Sequence, residues 1–111
     1  MNVYDTANQL AQEIKASEEF NELKMAKQAI NLNPELKNKV LEFSKKRYDV
    51  QVKTIETGKR DEEEFKKVQE MYLELLENND AKKYFEAETK FNILYADVNK
   101  IIGDSIRELM V

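Results

Sequence analysis

Apolar residues recur at intervals of three and four along most of the chain, the spacing that lines one face of an α-helix. Val3, Ala7, Leu10, Ala11 and Ile14 make the first stripe and predict a helix over residues 3–16. Ser17 restarts the pattern, because a serine followed by Glu18 and Glu19 is an N-cap with two acids on the positive end of a helix dipole. Phe20, Leu23, Ala26, Lys27 and Ile30 carry this second helix to near Leu32. Asn33-Pro34-Glu35 is the clearest boundary: asparagine caps, proline suits the first helical position where its missing N–H costs nothing, and glutamate favours the first turn.

A long third helix follows. Leu36, Val40, Phe43, Arg47 and Val50 form one stripe, widened by Leu41, Tyr48, Val52 and Ile55, and the run stops at Gly58. At 1.5 Å per residue it spans about 36 Å. Asp61 opens the fourth helix as a capping box with Glu64, and Phe65, Val68, Tyr72, Leu75 and Leu76 supply its apolar face. The link through Gly58, Lys59 and Arg60 is short, so residues 34–78 are predicted to form a long helical hairpin. Asn78-Asn79-Asp80 caps a fifth helix, traced by Tyr84, Phe85, Phe91, Leu94, Tyr95, Val98, Ile101, Ile102 and Leu109 nearly to the C-terminus. Gly103 inside it either permits a close helix crossing or marks a break. The expected fold is all-α: an antiparallel bundle of about five helices with one protruding hairpin, in a single domain over 1–111.

Composition agrees with long, wet-faced helices: 36% charged residues, two glycines and one proline. No apolar run approaches the roughly 20 residues of a membrane span, and Met-Asn-Val-Tyr-Asp lacks signal-peptide features, so a cytoplasmic protein is expected. Cysteine and histidine are both absent. That removes disulfides, thiolate zinc sites, cysteine-held iron-sulfur clusters, Cys or Ser-His nucleophilic catalysis and imidazole proton transfer. The net charge of -4 argues against generic nucleic-acid binding.

Charge is divided between the hairpin arms. Residues 34–60 carry eight basic residues against four acids, while residues 61–80 carry eight acids against two lysines. The Lys45-Lys46-Arg47 cluster reads first as a solvated face paired with its acidic neighbour, and second as an RNA or phosphate contact. Glu62-Glu63-Glu64 reads as a helix start, since neighbouring carboxylates on a helix cannot converge on one ion. Glu70, Glu74 and Glu77 share a face, yet a diiron bundle would need histidines. No catalytic, cofactor-binding or metal-ligating residue is therefore assigned, and no cofactor is expected.

Glu88 lies at or near the apolar face of the fifth helix, by its spacing from Phe85, Phe91 and Tyr95. A carboxylate there either contacts a partner or sits at an edge, reaching solvent or bonding a tyrosine hydroxyl. Tyr4, Tyr48, Tyr72, Tyr84 and Tyr95 read first as core residues with polar tips and second as interface anchors.

The chain resembles the YlbF/YmcA family of small helical proteins of Gram-positive bacteria, most closely its YheA-like branch. The resemblance rests on Asn2-Val3-Tyr4-Asp5 with Ala7, Leu10 and Ala11, on Ser17-Glu18-Glu19-Phe20 with Lys24, Ala26 and Lys27, and on Ala87-Glu88 with Phe91, Ile101 and Ile102. It implies an antiparallel helical fold that self-associates and a regulatory role. In this family YlbF and YmcA act with a third protein, YaaT, on competence, biofilm formation and sporulation through messenger RNA processing by RNase Y. The iron-sulfur clusters of that complex are bound through cysteines, which this sequence lacks. The resemblance therefore implies a paralogue without a cluster, whose partners are itself and, by analogy, YaaT-like proteins or RNase Y.

The function expected is that of a non-enzymatic adaptor that forms a homodimer or higher oligomer. The hairpin is longer than the first two helices can cover. That points to Val50, Val52, Ile55, Phe65 and Val68 near its tip, with Glu88, as an interface. The alternative is an RNA-binding accessory factor using the basic face of helix three.

Overall fold

The computed structural model describes residues 2–110, which form five helices: α1 (Val3–Ala16), α2 (Glu18–Asn31), α3 (Pro34–Thr57), α4 (Glu62–Leu76) and α5 (Asn79–Met110). Each boundary has a local cause. The Asn2, Ser17 and Asn33 side chains accept hydrogen bonds from the backbone N–H groups of Asp5, Phe20 and Leu36, at 2.9, 3.2 and 3.2 Å. Pro34 occupies the first turn of α3. Gly58 closes the same helix in the left-handed region at φ 73°, donating its N–H to the Thr54 carbonyl. Asn78 caps α5 by accepting from the Asp80 and Ala81 amides.

Asp61 caps α4 as expected, accepting from the Glu63 and Glu64 amides. The reciprocal half of the capping box is absent among the described contacts, because Glu64 turns to lysines instead. Gly103 does not break α5, which runs through it without interruption.

The core sits where four helix ends converge. Ile30 from the end of α2, Leu36, Val40 and Phe43 from the first half of α3, Leu75 from the end of α4, and Ala81 and Phe85 from the start of α5 form one buried cluster. Phe43 is 2% exposed and meets Phe85 edge-on and Tyr72 at a tilt, with ring centroids 5.6 Å away in both cases. From this junction α5 continues outward with α2 packed along it, and the α3–α4 hairpin leaves as a second arm. The molecule is consequently flat, 49 × 38 × 16 Å, with a radius of gyration of 17.7 Å. A compact domain of this length would have about 13 Å.

Two sequence expectations are corrected by this geometry. Leu41, Tyr48 and Ile55, predicted to widen the α3 stripe, are exposed, because only α4 lies beside the outer part of α3 and it covers a narrow strip. Of the five tyrosines expected in the core, Tyr72 and Tyr84 do pack on the cluster. Tyr4, Tyr48 and Tyr95 are exposed, since each lies on an arm beyond the junction.

Candidate interaction surface

The hairpin arm is held by charge as well as by apolar contact. Lys46 on α3 forms an ion pair with Glu64 on α4, and Lys67 approaches the same carboxylate at 3.5 Å. The hydrogen bond from Lys46 holds the Glu64 carboxyl below its usual range, with Lys67 adding to the effect and partial desolvation opposing it. Arg47 lies over the Phe43 ring at 5.1 Å, and Arg60 over Phe65 at 4.1 Å, so both guanidinium groups cap aromatic faces. Of the basic cluster read from the sequence, only Lys45 has neither an ion-pair nor an aromatic partner among the described residues. Among the described residues no three carboxylates converge as metal ligands, and no helix is long and apolar enough to cross a membrane.

The structure divides the six residues expected at an interface. Val50, Val52, Phe65 and Val68 are half-buried between the two arms of the hairpin, Val68 reaching the core cluster itself. Ile55 is 76% exposed. Near it runs an open groove of about 750 Å³, bordered by Val50, Val52, Lys53, Thr57, Arg60 and Glu64, which mixes apolar and charged side chains. Glu88 is on α5, away from the tip, one turn from Tyr84. Burial and the neighbouring Glu88 carboxylate push the Tyr84 phenol above its ordinary value. Glu88 is half-buried.

The larger uncovered apolar surface is elsewhere. α1 has no buried residue, and its one substantial packing partner is α2, at the bend. Every described residue of α5 from Asn99 onward is exposed, including Ile101, Ile102, Ile106 and Leu109. Both stripes are plain in the sequence. What the sequence does not say is that their outer positions, Val3 and Ala7 on α1 and Ile101, Ile102, Ile106 and Leu109 on α5, stay exposed, while Leu10, Ile14 and Val98 nearer the bend are half-buried.

Comparison with known proteins places this architecture. The family described as "Control of competence regulator ComK, YlbF/YmcA" matches residues 3–107. The chain belongs to this YlbF/YmcA family. Among its relatives, a UPF0342 protein of Caldicellulosiruptor bescii is 34% identical over 105 residues, covering 95% of this chain and 88% of the relative. A UPF0342 protein of Halothermothrix orenii is 35% identical over 102 residues, covering 92% and 86%. One from Bacillus mycoides is 32% identical over 108 residues, covering 97% and 92%. The YlbF/YmcA match takes in α1 and α5 as far as Arg107, so the α1 stripe and the α5 stripe up to Ile106 lie within the matched part.

Proposed function

We propose that this YlbF/YmcA protein is a non-enzymatic helical adaptor that works as a homo-oligomer and presents helix faces to protein partners. The regulatory setting is the one the family's description names, control of competence; biofilm formation, sporulation and RNase Y-linked RNA processing rest only on the resemblance to YlbF and YmcA. One observation carries the reading. The chain has an accessible surface of 9104 Å², whereas a compact monomer of 13.1 kDa would have about 6,400 Å². The difference of about 2,700 Å² is of the size that obligate partners bury against one another.

Size-exclusion chromatography with light scattering at micromolar concentration tests the oligomer, and a strict monomer would sink it. Affinity purification from the native cell tests the adaptor. Co-purification of a YaaT-like protein or RNase Y supports that role; recovery of the chain alone, at native expression, removes it. RNA binding by the basic face of α3 is the less supported reading, because Lys46 is engaged by Glu64 and Arg47 by Phe43.

A further inference from the structure

Three facts about α1 and α5 belong together. First, α2 packs antiparallel along the first half of α5, in a register set by Phe20 against Phe91 at 6.0 Å and Glu22 against Lys90 at 3.9 Å. Second, α1 does not continue that packing. At Ser17 the backbone turns to extended geometry (φ -68°, ψ 152°). The bend is held there: the Ser17 N–H and hydroxyl both donate to the Ile14 carbonyl, and Asn21 Nδ2 donates to the Lys15 and Ser17 carbonyls. Third, no helix packs extensively along the outer part of α5, where every described residue from Asn99 onward is exposed.

Carrying the Glu22–Lys90 register outward, one residue back along α1 for each residue forward along α5, aligns the two stripes, whose outer positions are exposed and whose inner positions Leu10, Ile14 and Val98 are half-buried. Val3 falls opposite Leu109, Leu10 opposite Ile102 and Ile14 opposite Val98, while small Ala7 falls opposite small Ser105. The flanking charges agree in the same register. Asp5 falls opposite Arg107, Lys15 opposite Asp97, and Glu13 beside Lys100. Among the described residues, Asp5, Glu13, Lys15 and Asp97 have no salt-bridge partner in the chain, while Lys100 and Arg107 share Asp104. The lengths also match. Fourteen residues of α1 cover about 21 Å, close to the span of α5 from Val98 to Leu109 with a turn to spare.

We propose that α1 of one copy lies along the outer half of α5 of a second copy, reciprocally, so that the homo-oligomer is a dimer with exchanged N-terminal helices. This deepens the self-association reading and rests on it. A single-residue hinge between two helices favours exchange, because a short linker such as Ser17 lets α1 reach another chain while its outer residues are exposed on its own. The exchange covers both stripes with one symmetric contact and removes the unmatched charges at the same time.

The absence of native cysteine allows a clean test. Copies bearing Leu10→Cys and Ile102→Cys, with tags of different length, are co-expressed and mildly oxidised. The expected result is a mixed disulfide between the two tagged chains, about tenfold above that from Leu10→Cys with Leu109→Cys, which is displaced by two turns and beyond disulfide reach. A dimer by light scattering with no preference for the in-register pair overturns the exchange and leaves self-association standing. A strict monomer removes both. A Leu10→Cys, Ile102→Cys double variant that closes its disulfide within one chain of monomer mass also overturns the exchange. A charge reversal gives a readout independent of cysteine packing: Asp5→Arg and Arg107→Asp should each weaken dimerisation several-fold, and together restore it. Failure of the pair to restore dimerisation counts against the register.

Discussion

Phe43 shows how much of this fold depends on a few side chains. It is in contact with Tyr72 and Phe85, and its third side is covered by the Arg47 guanidinium. Truncation to alanine leaves a cavity at the junction of four helices, and the surrounding helix ends are too well anchored by their caps to collapse into it. Phe43→Ala is expected to cost about 3–5 kcal/mol, read from urea denaturation at fixed protein concentration. Glu64 acts differently, through charge at the rim of the hairpin. Its folded-state pKa lies below the ordinary glutamate value, so its stabilising effect is present above that ordinary value and is lost as pH falls through the folded one. The denaturation midpoints of the wild type and Glu64→Gln should therefore differ at neutral pH and converge in acid. Added salt should narrow the neutral-pH gap, and a gap independent of pH would show that the Lys46–Glu64 pair is not its source.

At the scale of elements, the two glycines make opposite predictions. Gly58 sits at φ 73°, where a side chain is strained even though an added Cβ would meet nothing within 4 Å. Gly58→Ala should destabilise the hairpin by about 1 kcal/mol or slightly more. Gly103 is helical, equally open, and off the stripe of Val98, Ile102 and Leu109, so alanine there should stabilise α5 by about 1 kcal/mol. Thermal melts of the two variants should move in opposite directions, and a loss from Gly103→Ala would reveal a close helix approach there. The helix boundaries were legible in the sequence because caps are local: Ser17, Asn33-Pro34, Gly58 and Asn78 each act on backbone groups within three or four residues. Burial was less legible. Tyr48 and Ile55 have the right spacing for the α3 face, but whether a face is covered depends on where neighbouring helices are sent, and that is decided by torsions such as those at Ser17. The stripes of α1 and outer α5 were visible in the spacing, whereas the exposure of their outer positions was not.

For the whole molecule, the question is what supports so flat a chain. Among the described residues eight apolar ones are buried, nearly all at one junction, while 15 large apolar ones are exposed, many on α1 and outer α5. A monomer with this distribution would hold the outer turns of α1 and α5 largely by hydrogen bonds and propensity, which is marginal for a helix of α1's length. If those helices are instead stabilised by a second copy, unfolding and dissociation are one event, and stability becomes a function of protein concentration. Each tenfold dilution should then lower the apparent unfolding free energy by about 1.4 kcal/mol, seen as a falling melting temperature. Shortening the chain to remove α1 should abolish the concentration dependence while leaving the α2–α5 junction, where Ile30, Leu36, Phe43, Leu75 and Phe85 meet, to melt on its own. A monomeric protein predicts no dependence on concentration in either form. A dimer built through the hairpin tip predicts that the dependence persists after α1 is removed and disappears with Ile55→Lys. The two experiments together identify which arm carries the contact, because the arms leave the junction in different directions and share no exposed apolar residue.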